Sequence, residues 1–260
     1  MRRVFDCFIF NNEIDLLEMR LNILDDVVDK FIIVEGNTTF SGNKKESNYL
    51  KNKDRFKKWE EKIIYEFADI PDYDVPWDRE IFSRNYYLTL PIFEDDDVII
   101  SSDLDEIPNP EAIKHVDEWI NDESHFTFQM NFYMYYLNNF MTSNWYGTRV
   151  ATYKYLKNKT IDDIREATED ESKISGPIID NGGWHFSYFG GEDMIKHKIE
   201  SFSHTEHNNQ QTKSRVSKNL ESNNDLFGRN VSFKVIEMTE DEYPEYILDN
   251  KEKYSSWIKK

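Results

Sequence analysis

Over the first 108 residues, short apolar runs that predict strands alternate with segments whose apolar spacing predicts helices. Runs rich in β-branched and aromatic residues, typical of buried strands, occupy residues 4–10, 31–34, 63–67 and 98–102. Leu17, Leu21 and Leu24 share one face of a helix predicted over residues 13–24, and a second helix is predicted over residues 78–90. This alternation indicates an α/β fold with a doubly wound, Rossmann-like central sheet.

The pattern changes beyond residue 109. Helices are predicted over residues 110–120 and 192–203, and strands of mixed direction over residues 126–136, 148–155 and 183–188. Polar or turn-rich segments predict loops over residues 38–52, 69–76 and 161–175. Without a repeat or a flexible linker, we expect one domain over residues 1–260, with a nucleotide-binding half over residues 1–108 and a mixed, acceptor-facing half over residues 109–260.

Composition narrows the possible functions of the chain. Lys and Arg number 32 against 50 Asp and Glu, which gives a net charge of −18, so a basic surface for nucleic acid is excluded. No run approaches the roughly 20 apolar residues of a membrane span. Cys7 is the only cysteine, which rules out an intramolecular disulfide. The N-terminus has too few apolar residues before its first charges for a signal peptide, so we expect a cytoplasmic protein.

Two carboxylates one residue apart follow the apolar run at residues 98–102. Asp103 and Asp105 precede Pro108, which disfavours continuation of the strand. Ligands of open α/β sheets gather where strands end, and hard divalent cations take oxygen ligands. The pair therefore predicts a cation site, with a solvated acidic turn as the alternative in so acidic a chain.

Arginines in the helix predicted over residues 78–90 are candidates for binding phosphate or ribose oxygens. Arg79 and Arg84 carry forked donors suited to such groups. Glu80 precedes Arg84 by four residues, so an exposed helical ion pair is the alternative.

Two glycine pairs bracket the aromatic strand predicted over residues 183–188, which permits close approach of the backbone to a ligand. Glu192 and Asp193 follow, and one of them is predicted to be a general base beside an acceptor hydroxyl. Acids also stabilise helix starts, which is the alternative. His204 and His207 follow the helix predicted over residues 192–203 and are predicted to supply a third metal ligand near Asp105. His204 is the candidate chosen, with an ordinary surface or core histidine as the alternative.

Six segments taken together resemble glycosyltransferase family 17, and they extend over nearly the whole chain. They are residues 6–21, 28–35, 77–80 with Arg84, 102–108, 183–187 and 243–250. The resemblance implies a GT-A fold, a UDP-sugar donor such as UDP-GlcNAc, a glycan or glycoprotein acceptor, Mn²⁺ or Mg²⁺, and inversion at the anomeric carbon. Asp103 and Asp105 match the family's Asp-x-Asp positions. Animal members are membrane-anchored Golgi enzymes, whereas this sequence is expected to be a catalytic domain alone. Because of that difference, its acceptor need not be a complex N-glycan.

In that reaction the cation neutralises the departing diphosphate and a carboxylate deprotonates the acceptor. Asp193 is the first candidate for this base and Glu192 the second, while Arg79, Arg84 or Arg165 adds positive charge near the diphosphate. Candidates for the uracil pocket near the first two strand ends are Phe10, Asn11, Glu35 and Asn37. Candidates for stacking on acceptor sugars, each with ordinary core packing as its alternative, are Trp145, Tyr146, Trp184 and Tyr188.

Two other functions are compatible with the same acidic turn. A metal-dependent phosphohydrolase or pyrophosphorylase would act without a glycan acceptor. A non-catalytic glycan-binding module of the same fold would bind sugar without turnover, although the intact Asp103 and Asp105 pair disfavours it.

Overall fold

Four parallel strands form the first half of a ten-stranded mixed sheet in the computed structural model, which describes residues 2–165 and 168–260. Their spatial order is β3-β2-β1-β4. The order reverses between β1 and β4, which is the place where doubly wound sheets bind ligands. The strands are β1 (Val4–Phe10), β2 (Lys30–Gly36), β3 (Ile63–Ala68) and β4 (Val98–Asp103). The helices between them are α1 (Ile14–Leu24), α2 (Asn48–Lys51) and α3 (Pro76–Tyr86).

The second half of the sheet mixes strand directions, as predicted. Strand β8 pairs antiparallel with β4, and β6, β7 and β10 continue the sheet, while β9 runs parallel to β6 and antiparallel to β5. The strands are β5 (Glu106–Pro108), β6 (Phe126–Met134), β7 (Asn139–Trp145), β8 (Arg149–Thr152), β9 (Ile178–Ser187) and β10 (Lys234–Val235). The helices are α4 (Pro110–Lys114), α5 (Tyr153–Leu156), α6 (Gly191–Ser201), α7 (Gln210–Ser222) and α8 (Glu245–Asp249). These elements confirm the predicted α/β class.

Alternating residues of the parallel strands fill two apolar clusters on opposite faces of the sheet. Phe8 and Ile33 belong to one cluster, whereas Cys7 and Ile32 belong to the other. Burial on both faces explains why these strands read as continuous apolar runs. Cys7 is fully buried, and burial raises the pKa of its thiol well above the ordinary value.

Several elements differ from the predicted ones because side-chain caps decide them locally. The strand predicted over residues 148–155 ends at Thr152, whose hydroxyl accepts a hydrogen bond from the backbone N–H of Tyr155 and starts α5. Ser47 likewise caps α2 inside the predicted loop 38–52. The helix predicted over residues 110–120 is instead the five-residue α4 followed by a short 3₁₀ turn.

Strand β7 and helix α7 were not predicted, because neither has a strong apolar pattern. Most of β7 is half-buried or exposed, and α7 buries only Val216 among its thirteen residues. Residues 166 and 167 of the predicted loop 161–175 lie outside the described residues. Across the ranges that are described, no helix has both the length and the apolar character needed to cross a bilayer.

His125 is a buried histidine that should make stability depend on pH. Burial and the nearby Arg149 lower the pKa of His125 from 6.5 to about 4. The unfolded chain therefore takes up a proton below pH 6.5 while the folded chain resists it until about pH 4, so stability falls over that window. We expect a loss of about 3 kcal/mol between pH 7 and pH 4 that His125→Gln abolishes, as measured by urea unfolding. Equal losses in both proteins would contradict this.

Candidate functional site

A buried arginine holds the backbone of the turn that joins β4 to β5. Nη1 of Arg20, in α1, donates to the carbonyl oxygens of Asp103, Leu104 and Glu106 at 2.9, 3.0 and 2.8 Å. Its other nitrogens donate to Asp6 in β1 at 2.8 and 2.6 Å, and both side chains are fully buried. Contacts from α1 and β1 therefore fix the position of this turn, which we call the acidic turn because it carries Asp103, Asp105 and Glu106.

The carboxylate of Asp103 lies between two arginines. Nη2 of Arg84, in α3, is 3.0 Å from one oxygen, and Nη2 of Arg165 is 2.8 Å from the other. Burial raises the pKa of Asp103, but Arg165 and Arg84 outweigh that effect and lower it to about 2. Asp103 is therefore an anion at neutral pH.

Asp105 is paired with residues of β9 and α6. Its carboxylate accepts from Nζ of Lys198 at 2.6 Å and from the Ser187 hydroxyl at 3.4 Å, and Nε2 of His185 is 3.5 Å away. Burial raises the pKa of Asp105, but Lys198 and His185 lower it well below the ordinary range. The His185 ring is stacked on Phe132, with a centroid distance of 4.2 Å.

Glu106 anchors the turn from the opposite side. It is fully buried and accepts from both Nη atoms of Arg165, at 3.0 and 2.7 Å, and from Nε1 of Trp145 at 2.8 Å. A Cβ at Gly147 would lie only 1.8 Å from a Glu106 oxygen, so this approach requires glycine. Glu106 thus positions the arginine that contacts Asp103.

Eight acidic and basic side chains joined by ion pairs form what we call the ion-pair cluster. The carboxylates are Glu80, Asp103, Asp105, Glu106 and Asp162, and the cationic side chains are Arg84, Arg165 and Lys198. Carboxylates therefore outnumber the cationic side chains in this cluster, five to three.

A cavity of about 720 Å³ opens over this cluster. Its walls come from the carboxyl ends of β1, β2 and β4 and from α3, β9 and α6. The sequence-predicted residues that line it are Phe10, Asn11, Arg84, Asp103, Asp105, Trp145, Arg165, Tyr188 and His204. The cavity therefore joins predicted donor, metal and acceptor residues at the switch point of the sheet.

Comparison with known families decides the class of this protein, since the model for glycosyltransferase family 17 matches residues 1–256. This chain belongs to glycosyltransferase family 17. Membership confirms both the predicted family and the predicted enzyme class, a glycosyltransferase.

Curated relatives of the family 17 chain carry the name β-1,4-mannosyl-glycoprotein 4-β-N-acetylglucosaminyltransferase. The rat and human proteins are each 30% identical to it over 134 residues, which is 45% of this chain and 24% and 25% of theirs. The aligned part thus covers about a quarter of each relative. Among solved structures, the galactosyltransferase LgtC, in complex with donor and acceptor sugar analogues, matches with a TM-score of 0.40 and 10% identity. That match covers 99% of this chain and 97% of LgtC.

Three predicted donor residues of the family 17 chain lie outside the cavity lining. Glu35 is fully buried and accepts from Nζ of Lys45 at 2.6 Å and from the backbone N–H of Asn48 at 2.7 Å. Asn37 accepts from the backbone N–H of Ile70. Arg79 donates to backbone carbonyl oxygens, including that of Phe40 at 3.2 Å. In this structure their polar groups stabilise loops near the cavity and do not face its interior.

Two predicted acceptor residues are also absent from the lining. Tyr146 is buried, and its hydroxyl donates to Glu171 at 3.2 Å. Trp184 is buried in the main apolar cluster, and its Nε1 donates to the carbonyl oxygen of Glu242 at 2.7 Å. Both match the core-packing alternative.

The predicted bases lie in the first turn of α6. Glu192 and Asp193 are not among the residues that line the cavity; Asp193 is exposed, and Glu192 is half-buried and pairs with Nζ of Lys196 at 2.5 Å. That arrangement is typical of acids that stabilise a helix start. The geometry does not support a base at these positions, and the assignment stays a prediction.

His204 lines the cavity, but its metal-ligating neighbours are not the two aspartates. His204, Glu206 and His207 have ligand atoms close enough to share a metal. Within residues 2–165 and 168–260 they are the one such set of three or more His, Cys, Asp or Glu side chains. Asp103 and Asp105 belong to no such set. They still fit a divalent cation, because both are anionic oxygen donors on one turn, in a cluster where carboxylates outnumber cationic side chains.

Sequence reasoning missed Arg20 and Lys198, which tie the turn to two helices. Arg20 occupies the inner face of α1, beside Leu17 and Leu21, and Lys198 directly precedes the buried Ile199. A charged residue on an otherwise apolar helix face signals a buried partner. The partners of Arg20 and Lys198 are distant in sequence. The helix pattern therefore indicates that each charge needs a buried partner but does not identify that partner.

Proposed function

We propose that this family 17 chain transfers N-acetylglucosamine from UDP-GlcNAc to a hydroxyl group of a glycan, with inversion and with Mn²⁺ or Mg²⁺. The observation that carries the proposal is the placement of Asp103 and Asp105 inside a cavity at the carboxyl ends of the parallel strands, beside three cationic side chains. The names of the relatives support this sugar and a mannose-containing acceptor. A GT-A arrangement of donor and acceptor halves is part of the proposal.

The donor would lie with its nucleoside near Phe10 and Asn11, at the end of β1, and its diphosphate over the ion-pair cluster. Asp103 and Asp105 would hold the cation, which when bound supplies Lewis-acid neutralisation of the leaving diphosphate. Arg84, through its forked donors, and Lys198, through its ammonium group, would donate hydrogen bonds to phosphate oxygens.

The acceptor would enter from the aromatic side of the cavity. Trp145, Tyr188, Phe202 and Phe227 line that side, and aromatic faces suit the apolar faces of sugar rings. Trp145 is held in place by its Nε1 hydrogen bond to Glu106. The proposed acceptor platform would therefore lie next to the turn that carries Asp103 and Asp105.

Inversion requires a base that takes the proton of the attacking hydroxyl. Glu13 and Glu169 are carboxylates outside the ion-pair cluster that line the cavity. They therefore join Asp193 and Glu192 as candidates, with the geometry in their favour. Each of these four carboxylates is replaced by its amide, and kcat and KM are measured for each variant. The base is the residue whose replacement lowers kcat while KM is retained.

The decisive test is turnover of UDP-GlcNAc with and without a β-mannose-containing acceptor. We expect UDP release in Mn²⁺ to rise steeply with acceptor concentration, and NMR of the product to show a β-linked sugar. Equal donor cleavage without acceptor would favour a phosphohydrolase. UDP binding without turnover across a panel of UDP-, GDP- and TDP-sugars would favour a glycan-binding module.

A further inference from the structure

A compact group of metal-binding side chains lies on a short turn after α6, on residues that the proposed transfer reaction does not use. His204, Glu206 and His207 have ligand atoms that all lie within 4.8 Å of one another. Nδ1 of His204 is 2.7 Å from a Glu206 oxygen, and Nε2 of His207 is 3.9 Å from the same oxygen. The turn is the 3₁₀ segment Thr205–His207.

Aromatic packing holds both imidazole rings. The His204 ring meets Trp77 edge to face, with a centroid distance of 4.8 Å, and His207 packs on Phe227 at 4.5 Å. Phe202 contacts both rings. The two imidazole rings are therefore held in place by the aromatic side chains around them, which lowers the entropy cost of binding an ion.

The composition of the group indicates the class of ion. Two imidazoles with one carboxylate form a set typical of divalent transition metals, and such sets leave coordination positions open. His204 and His207 also line the cavity, while all three residues remain accessible to solvent. We propose that His204, Glu206 and His207 bind one divalent transition-metal ion, separately from the Asp103 and Asp105 pair.

Ser203, which precedes the histidine turn at residues 204–207, connects it to the ion-pair cluster. The hydroxyl of Ser203 donates to Glu80, Glu80 pairs with Arg84 at 2.5 Å, and Arg84 contacts Asp103 at 3.0 Å. The residue that directly precedes the histidine turn is therefore joined to the acidic turn by hydrogen bonds and ion pairs. The new site binds its ion in the absence of nucleotide, so it does not depend on the proposed transfer.

The test is a Co²⁺ titration of the full chain without a polyhistidine tag or nucleotide, followed by visible absorption and calorimetry. With excess Mg²⁺ present to occupy oxygen-ligand sites such as the Asp103 and Asp105 pair, we expect one Co²⁺ per chain, bound through imidazole ligands. His204→Ala and His207→Ala should each weaken binding roughly tenfold or more, as ligand-shell losses commonly do.

A matched control is His115→Ala. His115 is also exposed and pairs with Glu118 at 2.8 Å, but it belongs to no three-residue set in the described chain. Unchanged Co²⁺ affinity in His115→Ala, with weaker binding in the two turn variants, supports the site. Displacement of Co²⁺ by Mg²⁺, or full affinity in His204→Ala and His207→Ala, overturns it. His204 is exposed and His207 is half-buried, so the melting temperature is measured for each variant as a check on folding, and sugar transfer is measured separately.

Discussion

Replacing Arg20 by methionine is expected to lower the free energy of unfolding by about 3–5 kcal/mol, because Asp6 becomes an uncompensated buried charge. Activity should disappear as well, since the carbonyl oxygens of Asp103, Leu104 and Glu106 lose the nitrogen that positions the acidic turn. Urea unfolding measures the first effect and a UDP-release assay the second.

Two comparison variants separate charge burial from positioning. Arg20→Met with Asp6→Leu removes the pair as a whole, so it should regain part of the stability without regaining activity. Arg55→Met removes an exposed arginine that pairs with Glu18, and it should cost less than about 1 kcal/mol. If Arg20→Met kept normal activity, the positioning role would be wrong.

Asp105→Asn is expected to reduce kcat in Mn²⁺ by roughly 10³-fold, because in the proposed mechanism several kcal/mol of leaving-group stabilisation depend on an anionic ligand at this position. The amide has nearly the same shape, so the turn should keep its fold. The same variant should lose the effect of Mn²⁺ on UDP affinity, measured by calorimetry.

Asp95→Asn is the surface control for that experiment. Asp95 pairs with Lys157 at 2.9 Å on the exposed side of the fold and does not line the cavity. Its substitution should leave kcat unchanged. Transfer by Asp105→Asn at the wild-type rate, in EDTA as in Mn²⁺, would remove the basis of the proposed mechanism.

The parallel half of the fold was predictable because its strands are buried on both faces. Apolar runs placed β1, β2, β3 and β4 within one or two residues of their observed bounds. The turn after β4 followed from Asp103, Asp105 and Pro108, which fall directly beyond the apolar run. Strand β7 and helix α7 were missed because they bury too little apolar surface to produce a periodic pattern.

Site residues close to strand ends were predictable, whereas pairings between distant segments were not. Phe10, Asn11 and Asp103 line the cavity because they directly follow or end parallel strands. Lys198 meets Asp105 across 93 positions of sequence, a contact set by how α6 packs against the sheet. Local pattern carries no information about that packing.

The single cysteine provides a built-in reporter of how the central sheet opens. Cys7 lies in the middle of β1, between β2 and β4, and its thiol is inaccessible in the folded chain. An alkylating reagent therefore labels the protein only when those three strands separate. The rate of labelling, measured by mass spectrometry, reports how often the central sheet opens, and no probe has to be introduced.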